Sequence, residues 1–195
     1  METIIFRCLC HINKNRTLRR FLKKARQDGC FISKKSFLFN PLCIHLGLRV
    51  AIEDFSSLRC YIQTAGGSYS PNIFIGHDSV VGEGTRIYSA GDLSIGANVI
   101  IAANCFIINY NHGFDLNTKI RFGDQPLQVK PVKIGNNCWI GTKAVILPGV
   151  QIGDNCVIGA CSLVSKSIPA NSVVAGNPAA LIKRWDPSTK SWVHS

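Results

Sequence analysis

His112, in the segment NHGFD, is the residue of this sequence best suited to general-base chemistry. An imidazole has an unperturbed pKa of about 6.5, so near neutral pH it can take a proton from an attacking hydroxyl. Asn109 and Asp115 lie beside it and can hydrogen-bond a polar substrate, although both residue types also serve local turns. The segment therefore predicts a proton-accepting site with a polar substrate next to it.

A second candidate is the adjacent pair His77-Asp78. The pair occupies an ordinary position of a repeat unit, IGHDSV, and no loop accompanies it. His112 is therefore the main prediction, and His77-Asp78 is the alternative.

The elements that must position these residues follow a six-residue repeat. An amphipathic helix cannot keep a period of six, because its apolar stripe advances by about 3.6 residues. One short strand and one corner fit each unit, so three units make one turn of a triangular coil, and each turn buries its apolar face against the next. The inward aliphatic residues fall in three runs: Ile75, Val81 and Ile87; Ile95, Ile101 and Ile107; Ile134, Ile140, Ile146, Ile152, Ile158 and Val164.

Two further positions of the repeat support this coil. Cys105, Cys138 and Cys156 occupy a small inward position, so these thiols are predicted to fill the core rather than to bind metal or do redox chemistry. Another position needs residues that tolerate a positive φ. It holds Gly84, Asn98, Asn104, Asn137, Gly149 and Asn155.

The charge of the chain is concentrated at its N-terminus. The formal net charge is +11 over 195 residues, and residues 1–40 hold ten Lys or Arg against two acidic residues. Residues 16–27 predict a helix with one apolar face, which either docks on the coil or contacts an anionic membrane surface or glycan. No nucleic-acid partner is expected, because nothing beyond charge supports one.

These features divide the chain into three parts. They are a basic N-terminal helical segment (1–40), the coil (41–170) and a C-terminal segment (171–195). Residues 40–70 show weaker periodicity and predict an irregular first turn, with Ile62 among its aliphatic positions. Ile168-Pro169 ends the repeat, and Ala179 to Trp185 is expected to form a short closing helix.

The cysteines and the hydropathy indicate a compartment. Nine cysteines show no obvious paired framework, and no apolar stretch approaches the roughly 20 residues that span a bilayer. A reducing cytoplasm, with contact at the inner face of the membrane as an additional hypothesis, is the simplest interpretation. Cys8 and Cys10 have no assigned role.

The repeat is interrupted between Ile107 and Ile134. Their spacing of 27 residues is a multiple of neither six nor eighteen, so a segment must leave the coil after Ile107 and return near Val132. Long polar insertions in compact folds usually carry function. This extruded loop, 108–131, has His112 near its base.

The segment NHGFD and the later sequence KPVKIGNNCWIGTKAVILPGVQIGDNCVIGACSLVSKSIPANSVVAGNPAALIK resemble the hexapeptide-repeat O-acetyltransferases. This superfamily includes galactoside and maltose acetyltransferases and enzymes that acetylate bacterial surface polysaccharides, and the similarity covers about residues 72–185. It implies a left-handed parallel β-helix and an acetyl-CoA-dependent O-acetyltransferase acting on a carbohydrate acceptor of a surface glycan. It also implies a homotrimer with sites between subunits.

The resemblance further implies roles for individual residues. His112 would be the general base for direct transfer without a covalent enzyme intermediate, and Trp139 would line the acceptor side. Backbone amides near Gly141 and Thr142 would serve the pantetheine arm and the thioester oxygen, and no metal is expected. The coenzyme contacts fall on Gly141, Thr142, Ala160, Ser165, Lys166 and Lys183.

Departures from the family pattern leave alternatives open. The acceptor-binding asparagine of galactoside-type enzymes has no counterpart in VVGEGTRI, and Ala180 stands where a C-terminal arginine is expected. His77-Asp78 resembles the His-Asp pair of sugar-nucleotide N-acetyltransferases of the same fold, so such an enzyme is one competing hypothesis, and a non-catalytic scaffold is the other. A γ-type carbonic anhydrase would need three zinc-binding histidines, and only two of the five histidines lie on regular coil.

Overall fold

The chain forms a left-handed parallel β-helix in a computed structural model, which describes residues 16–194. Each turn passes from a first sheet to a second and then to a third, so that Trp139 pairs with Val157 one turn later. The first sheet contains the parallel strands Phe31–Ile32, Ala51–Ile52, Val80–Val81, Ile100–Ile101, Trp139–Ile140, Val157–Ile158 and Ser172–Ala175, then the antiparallel Ala180–Asp186 and Ser191–His194.

The second and third sheets are parallel throughout. We call the edges where they meet their neighbours the first–second, second–third and third–first corners. The second sheet contains Phe37–Phe39, Ser57–Cys60, Arg86–Ser89, Phe106–Ile108, Val145–Ile146 and Leu163–Val164. The third contains Ile44–Leu46, Asn72–Ile75, Asp92–Ile95, Val132–Ile134 and Gln151–Ile152.

The core confirms the predicted repeat. None of its inward aliphatic residues is more than 3% exposed, and Cys105, Cys138 and Cys156 are buried among them. The corner asparagines have positive φ as predicted, for example 56° at Asn98 and 53° at Asn137. Strand and corner therefore alternate as the six-residue period requires.

The helix predicted over residues 16–27 is present and docks on the coil. Ala25 is buried, and Phe21 packs against the core cluster. Arg19 and Lys23 remain exposed on the opposite side. Within residues 16–194 no helix has the length and apolar character needed to cross a bilayer. Cys8 and Cys10 lie outside the described residues.

The coil begins earlier than the predicted boundary at residue 41. Phe31–Ile32 pairs with Ala51–Ile52, and Phe37–Phe39 pairs with Ser57–Cys60, in the parallel register of the later turns. The alternation is hard to see in the sequence here because outward positions are also apolar. Phe31 and Phe37, for example, are 60% and 50% exposed.

Two segments leave the coil at the second–third corner. The extruded loop opens with Tyr110–Asn111, which pairs antiparallel with Gln128–Val129, and it contains a 3-10 turn at Phe122–Asp124. The chain rejoins the coil at Val132–Ile134.

The smaller excursion spans residues 61–71 and was not predicted. Gln63–Thr64 and Gly67–Ser68 form an antiparallel hairpin. Ile62, which the weak periodicity assigned to the first turn, is 49% exposed at its start. A 3-10 turn at Pro41–Cys43 occupies the same corner in the turn before.

The closing helix predicted for Ala179 to Trp185 is wrong, because Ala180–Asp186 is a strand. It pairs antiparallel with Ser172–Ala175 and with Ser191–His194. The last turn of a β-helix presents an edge of unpaired backbone groups, and this hairpin satisfies them. Ser172–Ala175 itself still belongs to the coil, since it pairs in parallel with Val157–Ile158.

Candidate active site

Asn109 joins the beginning of the extruded loop to the coil. Its side chain is fully buried; Oδ1 accepts a hydrogen bond from the Ala90 amide at 3.0 Å, and Nδ2 donates to Ser89 Oγ at 3.0 Å and to the Asp92 carbonyl at 3.2 Å. Its carbonyl also accepts from the amide of Lys130, where the loop returns, at 2.8 Å. All the hydrogen-bonding groups of the Asn109 side chain are thus engaged in joining the loop to the coil, which leaves none of them free for the predicted substrate contact.

Gln125 organises the outer part of the loop. It is 3% exposed; Oε1 accepts from the Asp115 amide at 2.9 Å, and Nε2 donates to the carbonyls of Asp115 and Ile120, each at 2.9 Å. The carboxylate of Asp115 accepts from the Asn117 amide at 2.8 Å. Asp115 is exposed, but its carboxylate serves a local turn, which is the structural role that the sequence left open.

The smaller hairpin supports the extruded loop from the side. The Leu127 amide donates to the hydroxyl of Tyr69 at 2.6 Å. A methyl group added at Gly66 would lie 2.1 Å from the Gln125 carbonyl oxygen, so the two backbones are in close contact. Tyr69 and Gly66 were missed in the sequence, since they belong to a segment without the repeat.

His112 follows the strand Tyr110–Asn111 and is exposed. The residue after it, Gly113, is buried against Gln125, and an added methyl group there would lie 2.7 Å from Gln125 Cβ. The backbone around His112 is thus fixed on both sides while the imidazole faces solvent. This arrangement suits a base that must meet an incoming hydroxyl.

Thr142 and Ala160 are brought together at the first–second corner. They follow strands that are paired in consecutive turns, and the Cys161 amide donates to the Thr142 carbonyl at 2.8 Å. Both are exposed, and among the described residues no acceptor engages either of their amides. Trp139, on the outer surface of the first sheet beside this corner, is 55% exposed.

Gly141 does not fit its predicted role as an amide donor to the coenzyme. Its amide already donates to the Ile158 carbonyl at 2.8 Å within the coil. A methyl group there would lie 2.6 Å from the Ala160 nitrogen, so a glycine is needed for the turns to stack. Gly141 is a packing residue.

The remaining predicted coenzyme contacts lie elsewhere. Ser165 and Lys166 are exposed at the second–third corner, on the edge of the second sheet from which the loop also leaves. Lys183 is half-buried opposite Val173, in the strand that extends the first sheet. Within one chain the predicted site residues therefore form two groups at opposite edges of the second sheet, one with His112 and one with Trp139 and Thr142.

The alternative pair lies at the third–first corner and has a third member. His77 Nδ1 is 2.7 Å from Asp78 Oδ2, and Arg49 forms two hydrogen bonds with the same carboxylate at 2.5 and 2.7 Å. The pKa of Asp78 is lowered to about 2, mainly by the Arg49 guanidinium and to a smaller extent by His77. The pair therefore belongs to an ion-pair cluster that links two consecutive turns of the coil.

The described histidines, cysteines and acidic residues do not assemble into a metal site. Across residues 16–194, no three or more of these side chains lie close enough to hold a metal ion together. Burial raises the pKa of the Cys60 thiol to about 12, and Cys138 and Cys156 donate to coil carbonyls.

This fold and loop define the class of protein: a β-helix of hexapeptide repeats with an extruded histidine loop. Residues 131–166 match the family model Bacterial transferase hexapeptide (six repeats). The resemblance to the hexapeptide-repeat acyltransferases is thereby confirmed.

Individual relatives extend this similarity. The chain is 36% identical over 126 residues to the Escherichia coli (strain K12) protein named "Putative lipopolysaccharide biosynthesis O-acetyl transferase WbbJ", covering 62% of this chain and 64% of that protein. The chain spans about 60% of the length of the curated relatives it matches.

Two solved structures share the architecture. A maltose O-acetyltransferase from Clostridium difficile 630 is 28% identical, with a TM-score of 0.59 over 85% of this chain and 84% of that one. AntD, an N-acyltransferase from Bacillus cereus in complex with dTDP and 3-hydroxybutyryl-CoA, has a TM-score of 0.67 over 83% of this chain and 82% of that one. At 24% identity, AntD shows the fold alone.

Proposed function

We propose that this chain is an acetyl-CoA-dependent O-acetyltransferase that acetylates a carbohydrate hydroxyl of a bacterial surface glycan, with His112 as general base. The observation that carries the proposal is the exposed imidazole on a loop whose backbone is anchored by Asn109 and Gln125. The names of WbbJ and the maltose enzyme support O-acetylation of a sugar.

The proposed chemistry needs one proton carrier. A ring nitrogen of His112 accepts the proton of the acceptor hydroxyl as that oxygen attacks the thioester carbonyl carbon. The carbon–sulfur bond then breaks, and the same proton passes from the imidazolium to the departing thiolate of coenzyme A. The acetyl group ends on the sugar oxygen, and no covalent enzyme intermediate forms.

The coenzyme would lie along the first–second corner. There the amides of Thr142 and Ala160 can donate to the pantetheine arm and to the thioester oxygen, which the amide of Gly141 cannot. Lys183 of the same chain would meet the more distant polar and phosphate groups, together with Ser165 and Lys166 of the next chain in the trimer proposed below, whose second–third corner faces this groove.

The two groups of site residues imply that the site lies between chains of a homotrimer. If the first sheet of one chain packs on the third sheet of the next, the first–second corner of the former faces the second–third corner of the latter. Trp139 and Thr142 of one chain then meet His112 of its neighbour. Exposed apolar residues on both sheets, including Ile100 at 54% and Phe74 at 43%, support this packing.

The test is to incubate the chain with acetyl-CoA and a panel of sugars, sugar nucleotides and capsule oligomers, and to measure free thiol release. We expect release that depends on a hydroxyl-bearing glycan, with mass spectrometry showing an added acetyl ester. Turnover with none of these acceptors would contradict the proposal.

A second candidate is N-acetylation of an amino sugar through His77-Asp78, which the 2.7 Å contact between them favours. It predicts an amide product, and it predicts that His77→Ala rather than His112→Ala abolishes transfer. The cluster with Arg49 counts against it, because the carboxylate is already engaged by a permanent cation.

A further inference from the structure

The outer surface of the second sheet carries a guanidinium held among aromatic rings. The Arg59 guanidinium carbon lies 4.9 Å from the centre of the Phe37 ring and 5.1 Å from that of Tyr88. Its Nε donates to Ser57 Oγ at 3.0 Å, and the interaction with the Tyr61 hydroxyl is the main cause that raises the Arg59 pKa. The side chain is therefore fixed in direction.

No carboxylate in the described part of the chain forms an ion pair with Arg59. The six strands of the second sheet contain Arg59 and Arg86 and no acidic residue. An immobilised guanidinium with spare donors on such a surface favours a planar anion, which it can bind through two parallel hydrogen bonds.

The aromatic surface continues from Arg59 to the base of the extruded loop. Tyr61 makes edge contacts with Tyr88 at 6.1 Å and with Tyr110 at 5.7 Å. Burial raises the pKa of the Tyr110 hydroxyl. Tyr110 is two positions before His112.

The strand register places Arg59 close to the base of the extruded loop. Arg59 pairs with Tyr88, and Tyr88 pairs with Ile108, the last residue of the coil strand Phe106–Ile108, where the extruded loop departs. Neighbouring strands are about 4.8 Å apart, so Arg59 lies about 10 Å from the strand that leads into the loop. A short oligosaccharide can span that distance.

From this geometry we infer that Phe37, Arg59, Tyr61 and Tyr88 form a binding subsite for a carboxylate-bearing sugar residue of the acceptor glycan. The guanidinium would take the carboxylate, and the half-exposed ring of Phe37 would offer an apolar face to the C–H face of the sugar. This inference rests on the proposed function, because it names the acceptor class of that enzyme. In the proposed trimer the second sheet faces outward, so the subsite stays open.

The experiment measures binding without acetyl-CoA, using the full chain and calorimetry. The probes are a sialic acid oligomer, a glucuronic-acid-containing oligomer and a neutral maltooligosaccharide of matched length. At least one anionic oligomer is expected to bind more tightly than the neutral one. Arg59→Gln should weaken that binding about tenfold or more, since charge-assisted hydrogen bonds are lost.

Lys34→Gln, which removes an exposed positive charge from the first–second corner of the first turn, is the matched control and should leave the affinity unchanged. Arg59→Lys should recover only part of the affinity, because a lysine keeps the charge but not the planar fork. If Arg59→Gln does not fold, Arg59→Lys and Phe37→Ala provide the same comparison.

Wild-type affinity in the Arg59 variants would overturn the subsite. So would equal binding of neutral and anionic oligomers, or displacement of the oligomer by a nucleoside diphosphate alone. Arg59-dependent binding without acetyl transfer to any acceptor would contradict the proposed enzyme but not the subsite. If Arg59→Gln leaves the rate of acetyl transfer unchanged with every anionic acceptor, the subsite is contradicted but the proposed enzyme is not.

Discussion

The Leu127 amide donates a hydrogen bond of 2.6 Å to the hydroxyl of Tyr69, 58 positions earlier in the sequence. This contact joins two excursions that leave the coil at the same corner. The extruded loop carries the candidate base, whereas no residue of the smaller hairpin is proposed to take part in the reaction. The smaller hairpin is therefore a positioning element for the loop that holds His112.

Gly66→Ala should disturb that positioning. The new methyl group would lie 2.1 Å from the Gln125 carbonyl oxygen, so the hairpin and the loop must separate. We expect faster amide hydrogen exchange in residues 113–127 and a fall in kcat of about tenfold, because small displacements of a base are costly.

Gly123→Ala is the matched control, since a methyl group there meets nothing within 4 Å. It should leave both the exchange pattern and kcat close to those of wild type. If both glycine variants behave alike, the hairpin has no positioning role.

Asn109→Ala should lower the stability of the chain rather than remove a substrate contact. It leaves the buried Ala90 amide, the buried Ser89 hydroxyl and the Asp92 carbonyl without their side-chain partner. The expected loss in the free energy of unfolding is about 3 kcal/mol, measured by urea denaturation.

Asn111→Ala serves as its control, because Asn111 is exposed and its substitution should change stability by less than about 0.5 kcal/mol. An Asn109→Ala protein of wild-type stability that binds acceptor poorly would restore the substrate-contact hypothesis.

The regular turns of this fold were predictable from the sequence, since a six-residue period requires a strand and a corner in each unit. Ile140 and Asn137 behave as that period predicts. The first turn was harder to see because Phe31 and Phe37 make outward positions apolar. The closing strand was missed because its formation is decided by the open edge of Ser172–Ala175, a tertiary effect.

The candidate site was predictable only in part. The break in the repeat locates His112, but burial decides the roles of its neighbours, and a sequence does not show burial in an irregular loop. Asn109 is fully buried and Asp115 is exposed, although both are short polar residues near the same histidine. Gly66 and Tyr69 act through contacts across the corner, which no local pattern indicates.

Ile100→Glu should dissociate the proposed trimer. Ile100 is 54% exposed on the first sheet, and a carboxylate buried at a subunit interface without a partner is strongly unfavourable. Light scattering should show a smaller particle, with thiol release lost at the same time.

Phe37→Glu provides the contrast from the second sheet, where the side chain is 50% exposed. It should leave the particle size unchanged. Dissociation by Phe37→Glu but not by Ile100→Glu would mean that a different pair of sheets forms the interface.

Asp78→Asn should reduce stability in a pH-dependent way. Arg49 and His77 lower the Asp78 pKa from 3.8 to about 2, so the folded state binds this proton less readily than the unfolded state. The stabilisation is therefore complete above the unfolded value and disappears as the pH falls through the folded one. Asparagine tolerates the positive φ of 59° at this position.

Thermal unfolding of both proteins from neutral pH downwards is the measurement. The melting temperature of Asp78→Asn should be slightly lower than that of wild type near neutral pH, and the difference should vanish as the pH approaches about 2. A difference that grows in acid would show that the ion pair has no such role.

The central claim, that His112 is the base, is tested most directly by comparing His112→Ala with His77→Ala in the thiol-release assay. Both side chains are exposed, so neither substitution should disturb the core. We expect His112→Ala to lower kcat by about 10²–10⁴-fold with acetyl-CoA binding retained, and His77→Ala to keep most of the activity. Full activity in His112→Ala, or its loss in His77→Ala alone, would contradict the account.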